Sequence, residues 1–532
     1  DEITARLAQI PGLGIISRST AIRYKRAQQD VQEIGEELDV QYVLEGIVRW
    51  QRAAGSESRV RVTPKLIRVS DGTNLWTWRY DAVLSEIFRV QSDVAESVAR
   101  VLDITLLEPQ RRALAARPTE DLEAYDYYLR GNDSYARRFV EEDARAAVDM
   151  YERAVELDGG FAHAYAALTR ALVWLNSQFG HSDVLERART AVDEALRLAP
   201  DLVEAHMALG DYYYYGLLDY EQALEQYRWV RTRQPSNSDA LALTAWIQRR
   251  QGDWASSIVN AERALVLDPL NAVWLIGQAQ TLFYTRQYEQ AEPYFRRAIA
   301  VGSDVPYYYR WAAWFYLAWD GTTERAQRVL DASFYRIEPG QLLVGWEASW
   351  IILSVFGRDY AQALDEFSIG AGVDSALYLL AKAQVSAQSG LDERARIYYD
   401  SARVVLEARV QREPTEQVLR GQLGIAYAGL GQREEAIREG RTAVALLPVS
   451  RDAMSGPYGV KDLARIYVMV GEHEAAIDQL GYLLSIPSGI SAALLQVDPF
   501  WDPLRSNARF EALLQTDERR EPETPATPRV VT

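Results

Sequence analysis

Two textures of hydrophobic and polar positions divide this chain. In the first hundred residues apolar and polar side chains alternate over short runs: Gly14–Arg18, Tyr42–Trp50, Arg59–Ile67 and Leu75–Tyr80. A period of two predicts half-buried strands. The second and third runs flank Ala53–Ser58, a small polar connection suited to a hairpin. Helical spacing covers about 2–9, 29–38 and 84–104, the last with Ile87, Val90, Val94, Val98 and Val101 on one face. Together these elements predict a small α/β module. From residue 119 onward the alternation stops and helical spacing takes over.

Within that second region small residues return at a fixed interval. Pro235 and Pro269 stand 34 residues apart, and each closes a helical pattern. Reading back from Pro269, Ala264, Ala261, Ser257, Gly252 and Ala245 hold the small positions. From Pro448 the same template gives Ala443, Gly440, Ala436, Gly431, Tyr427, Gly424 and Leu423. The spacing resembles the tetratricopeptide repeat, a helix-turn-helix unit whose small residues let two antiparallel helices approach closely. Other copies place Ala147, Tyr151 and Ala154; Ala188, Val192 and Ala195; Ala279, Ala291, Phe295 and Ala298; and Ala464, Tyr467, Gly471, Ala476 and Leu480. The copy with Leu209, Gly210, Tyr213, Ala223 and Tyr227 carries one extra residue between its helices, and 304–412 follows the template loosely. The expected fold is therefore mainly α, a repeat α-solenoid superhelix preceded by a small α/β domain. About ten repeats are expected over 119–487, after a linker at 105–118. A capping helix follows at 488–515, then a charged, Pro-rich and disordered tail at 516–532.

The N-terminal wording carries a second resemblance. The run IPGLGIISRSTAIRYKRAQQDVQEIGEELDVQYVLEGIVRW, followed by RVRVTPKLIRVSDGTNLWTWRYDAVLSEIFRVQSDVAESVA, resembles the TolB-amino-terminal-like domain of multidomain bacterial signalling proteins. It covers 1–104. The resemblance implies a position between an effector (a cyclase, a Ser/Thr kinase or a winged-helix regulator) and a repeat array. In that family an apolar strand precedes the first helix, whereas this sequence begins inside the helix at Asp1, so the domain is expected to lack its first strand and to leave an edge open for pairing.

Composition narrows the chemistry. A net charge of −17, from 58 Lys+Arg against 75 Asp+Glu, argues against a nucleic-acid backbone as the main partner. With no cysteine, disulfides, thiol catalysis and Cys-metal sites are excluded. Lysine is confined to Lys25, Lys65, Lys382 and Lys461, so arginine carries nearly all positive charge. The four histidines, His163, His181, His206 and His473, show no metal-binding spacing. There is no Walker A loop and no nucleophile elbow, and the glycines of PGLGIIS precede a strand where a dinucleotide site needs them after one. Glu141-Glu142 and Glu434-Glu435 sit at helix starts, where they complement the macrodipole. No catalytic residue, metal or cofactor is expected, and no run approaches a membrane span.

The aromatic content supplies the candidate site. The repeat template assigns certain first-helix positions to the concave surface: Arg170 and Trp174; Asp211, Tyr214 and Tyr215; Trp246, Arg249 and Arg250; Gln280, Phe283 and Tyr284; Tyr307, Arg310 and Trp314. Rigid aromatics with Arg forks dominate binding energy at interfaces. The expected function is a non-catalytic scaffold or sensory module that binds a protein or peptide in this groove. Trp246, Arg249, Arg250, Tyr284 and Trp314 are expected to be accessible on one wall. The bland alternative makes these aromatics inter-repeat core. A second reading is a structural subunit of a larger or homo-oligomeric assembly. The TolB-like resemblance and the lack of cysteine favour an extracytoplasmic place, with the cytoplasm as the alternative.

Overall fold

The computed structural model describes residues 2–8, 10, 13–24, 29–51, 59–83, 86–138, 141–344, 348–357, 359–367 and 374–517. The chain divides into two compact units, 1–244 with 263–269, and 245–262 with 270–532.

The first unit begins with the sheet module. Its strands are β1 (Tyr42–Gln51), β2 (Arg59–Arg68), β3 (Asn74–Thr77) and β4 (Tyr80–Val83). β2 lies at the centre, antiparallel to β1 from Tyr42↔Arg68 to Gln51↔Arg59, and to β3 and β4 on its other edge. The single strand expected at 75–80 is thus two short ones. Alternation on β2 buries Val60, Val62 and Leu66 while Arg59 and Arg61 face solvent. The helix Ile87–Val101 covers that buried face with Val90, Val94, Ala95 and Val98. The strand expected at Gly14–Arg18 does not form. Ser17 N–H donates to the Leu267 carbonyl at 3.0 Å, and a helix opens at Arg18. The backbone there finds a helix-end carbonyl instead of a ladder. The connection Ala53–Ser58 lies outside the described residues.

Residues 105–118 contain the helix Glu108–Ala115. Arg6, only 2% exposed, donates to the carbonyls of Leu114 and Ala116 at its end and to Ser92 Oγ. A cation at a helix C-terminus satisfies carbonyls that have no intrahelical partner.

Beyond Val83 no strand occurs among the described residues, which form ten consecutive helix pairs. Three lie in the first unit: Leu122–Tyr135 with Glu141–Leu157, Ala162–Phe179 with Leu185–Leu198, and Val203–Asp211 with Tyr220–Arg233. A fourth, Ser238–Arg250 with Trp254–Leu267, contributes residues to both units. Six follow in the second unit, from Ala272–Tyr284 with Tyr288–Val301 to Gly456–Met469 with His473–Ser485. In the looser stretch an added short helix, Pro339–Leu343, sits between pairs and stretches the interval. The helix Ala492–Val497, the 3-10 turn Pro499–Leu504 and the helix Ala508–Asp517 end the described chain, burying Leu495, Trp501 and Phe510 respectively. Beyond Asp517 the expected tail lies outside the described residues.

The small-residue template is realised as close helix contact. Ala147, Ala188, Ala195, Ala279, Ala298, Ala436, Ala443, Ala464 and Ala476 are all fully buried. Gly210 shows why size matters: a Cβ there would lie 2.4 Å from the Tyr227 ring. The extra residue of that repeat is absorbed as a π-turn over Tyr212–Gly216, with Leu217 N–H reaching back to the Tyr212 carbonyl at 3.2 Å.

Candidate interaction surface

The first helices of successive pairs carry the candidate residues, and the structure buries most of them. In the first unit Arg170 donates from Nε to Asp211 Oδ2 at 2.7 Å and approaches Asp239 at 3.5 Å. Asp211, 3% exposed, also accepts from the Tyr227 hydroxyl at 2.7 Å. Both of its oxygens are thus committed within the fold. Burial opposes the Arg170 charge, but Asp211 with Tyr135 and Asp239 outweighs it and holds the guanidinium well above its ordinary value. Trp174, 6% exposed, donates from Nε1 to the Arg138 carbonyl at 2.9 Å and receives the Arg138 guanidinium over its ring at 4.6 Å. Tyr214 is buried and packs on the half-buried Tyr215, with centroids 4.3 Å apart.

In the second unit the expected open wall is closed by the chain itself. The hydroxyls of Tyr284 and Tyr458 share a hydrogen bond of 2.7 Å, and Tyr284 has no exposed surface. Trp314, 1% exposed, donates from Nε1 to the Gly489 carbonyl at 2.9 Å. Arg250 Nη1 meets Asp452 Oδ2 at 2.6 Å and Ser455 Oγ at 2.8 Å, while Ala453 N–H donates to the Arg250 carbonyl at 2.7 Å. Arg249 turns inward to the Gly277 carbonyl at 2.9 Å and to Thr281 Oγ1. Phe283 is buried among Tyr284, Trp314 and Phe315. Gln280, also buried, donates to the Tyr307 hydroxyl at 2.7 Å.

The expectation of an accessible wall at Trp246, Arg249, Arg250, Tyr284 and Trp314 is therefore corrected. Arg249, Tyr284 and Trp314 are core, and Trp246 and Arg250 are half-buried. The physical reason is that the same unit supplies the partners these side chains would otherwise seek outside: Tyr458 for Tyr284, Gly489 for Trp314, and Asp452 with Ser455 for Arg250, while Arg249 bonds to Gly277 and Thr281. Tyr307, 38% exposed, and the half-buried Arg310 keep more surface. Arg310 donates to the carbonyls of Gln341 and Val344, at the end of the helix Pro339–Leu343.

Other features of the surface lie away from the expected concave positions. β1 pairs with β2 alone among the described residues, and it exposes Ile47 (60%) and Val48 (50%). The outer face of the helix Arg433–Leu446 borders an open cleft whose arginines had been passed over in favour of the acidic pair at the helix start.

Comparison with known proteins agrees with the repeat architecture. Residues 212–272 and 276–319 match the tetratricopeptide repeat family. A curated protein of Rhizobium meliloti (strain 1021), named "Putative adenylate cyclase 3", is 34% identical over 169 residues, which is 32% of this chain and 28% of that protein. The match thus spans under a third of the relative's length. Among solved structures, a tetratricopeptide repeat protein from Parabacteroides merdae is 15% identical, with TM-score 0.33, covering 57% of this chain and 99% of that one. Pseudomonas aeruginosa pilF is 17% identical, with TM-score 0.29, covering 42% of this chain and 90% of its own. The fold is a mainly α tetratricopeptide solenoid with a small sheet domain at its N-terminal end.

Proposed function

We propose that this chain is a non-catalytic protein-interaction module of a multidomain bacterial signalling protein, a TolB-like domain joined to a tetratricopeptide array that binds a protein or peptide. The observation that carries the reading is the repeat match over 212–272 and 276–319, set among the ten helix pairs of the described residues, which are held together by fully buried small residues. Such pairs present long side-chain surfaces on a rigid frame, which suits recognition. The partial likeness to the Rhizobium protein supports a place beside a nucleotide-cyclising output carried elsewhere. The acidic balance supports a protein or peptide partner over nucleic acid. Concave binding enters in reduced form, confined in the second unit to the surface around Tyr307 and Arg310.

Two assays test this. The chain with ATP and Mg²⁺ is expected to form no cyclic AMP; turnover would overturn the non-catalytic reading. Screened against a peptide library graded in charge, the immobilised chain is expected to bind a subset saturably, and a library with no binder would overturn the interaction reading. A homo-oligomeric assembly is the second reading, favoured by the side of β1 that pairs with no strand among the described residues, with Ile47 and Val48 exposed. Light scattering separates them: a monomer supports the module, and a large homo-oligomer supports assembly.

A further inference from the structure

We propose that the cleft on the outer side of the ninth and tenth helix pairs is a docking site for an acidic, aliphatic peptide segment of a partner protein. The idea rests on the interaction reading above and assigns it a place away from the concave positions. The helix Arg433–Leu446 forms one wall, the start of His473–Ser485 the other, and Tyr467 the floor, around a volume of about 680 Å³. Ile437, Ala445 and Ala475 line it with apolar surface.

The charges along this wall are unequal. At one end Arg433 is neutralised by Glu472. One turn further Arg438 is 61% exposed and pairs with Glu439 at 3.5 Å, while Glu434, which also lines the cleft, forms no ion pair among the described residues. Glu439 is itself 8% exposed and already accepts Arg420 at 2.7 Å, so little of its charge is left for Arg438. Arg441 donates from Nε to the Tyr467 hydroxyl at 3.1 Å and forms no ion pair among the described residues. Two guanidiniums three residues apart thus project from one helix face beside an apolar floor, in a protein of net charge −17. An Arg fork is matched by a carboxylate, which it can hold bidentately. The occupant this favours places Asp or Glu against Arg438 and Arg441 and small aliphatic side chains on Ile437, Ala445 and Ala475.

Length follows from helix geometry. From Arg433 to Ala445 the wall rises roughly 18 Å at ~1.5 Å per residue. An extended peptide covers that distance in five or six residues at ~3.3 Å each, with alternate side chains on opposite faces. Alternating acid and aliphatic residues therefore present the two chemistries the cleft offers.

The test uses the full chain and two fluorescent hexapeptides, one alternating Glu and Val, the other Gln and Val, followed by anisotropy. The Glu peptide is expected to bind at least about tenfold more tightly, the ratio of one charge-assisted contact of ~1.4 kcal/mol. Raised salt should shrink that ratio. The double variant Arg438→Gln/Arg441→Gln, with circular dichroism unchanged, should abolish the preference, and Ile437→Ser should weaken both peptides. Equal affinity of the two peptides for the unaltered chain overturns the proposal, as does a preference that survives the double variant. If Arg310→Gln instead removes the preference, the cleft assignment fails while the interaction reading stands. Failure of the whole graded library to bind defeats the interaction reading itself.

Discussion

Arg250 stands at the point where an open groove and a self-filled one make opposite demands. In a groove, Arg250→Ala removes a partner contact and leaves the fold intact. In this structure it takes the guanidinium, 22% exposed, away from Asp452, whose side chain is 1% exposed. At ~4 Å between charge centres and an effective dielectric near 20, the pair attracts by roughly 4 kcal/mol, part of which offsets the desolvation of Asp452. Breaking a fully buried pair from one side costs about 3–5 kcal/mol. Water can reach the emptied Arg250 position, and the Oδ1 of Asp452 keeps its bonds from Met454 and Ser455 N–H. The expected loss is therefore about 2–3 kcal/mol. Asp452→Asn retains the Oδ1 acceptor and should cost less. A double-mutant cycle of Arg250→Ala and Asp452→Asn by urea unfolding should give a coupling of roughly 1.5–3 kcal/mol. A coupling below ~0.5 kcal/mol would refute the view that the segment 452–455 is docked on this helix.

Further expectations concern packing and charge. Ala436→Leu inserts bulk where no surface is exposed and should lower stability by about 1–3 kcal/mol, read as a fall in Tm. Gly210→Ala gains about 1 kcal/mol of helix propensity, yet its Cβ would stand 2.4 Å from the ring of Tyr227, which is fully buried and bonded to Asp211. Overpacking should win, and a variant more stable in urea than the parent would show that it does not. Asp462 makes no hydrogen bond or ion pair among the described residues, and burial raises its carboxyl above the ordinary value against the opposing charges of Lys461 and Arg465. The folded state then holds the proton more tightly than the unfolded one, so stability falls as pH rises from the ordinary carboxylate range through the raised value. Asp462→Asn should flatten that fall, and a pH profile of Tm unchanged by the substitution would contradict it.

The sequence made the repeats legible because helix contact is a local demand. Ala436 and Ala476 announce themselves by size at a fixed interval, and both are fully buried. The sheet was legible by alternation on β1 and β2, but Gly14–Arg18 reads the same way and forms no strand, since its hydrogen bond goes to Leu267, far along the chain. The aromatic positions failed for a related reason. A template says which residues face inward, and says nothing of what stands opposite. Tyr458 is 174 residues from Tyr284, and Gly489 is 175 from Trp314. No period records such meetings. Arg438 and Arg441 were visible as letters, but their significance depends on Glu439 being taken by Arg420, a contact across 19 residues.

The absence of cysteine from the sequence offers the most direct measurement of whether the second unit's inner positions are closed and its outer cleft open. Single variants Gln280→Cys and Ala445→Cys are alkylated in the folded protein and, as a reference, in urea. Position 280 is 4% exposed and position 445 is open to solvent. Ala445→Cys is expected to react at close to its unfolded rate and Gln280→Cys at least about a hundredfold more slowly, in keeping with opening that costs several kcal/mol. Equal, rapid reaction at both positions would contradict it and return the concave residues to the binding surface.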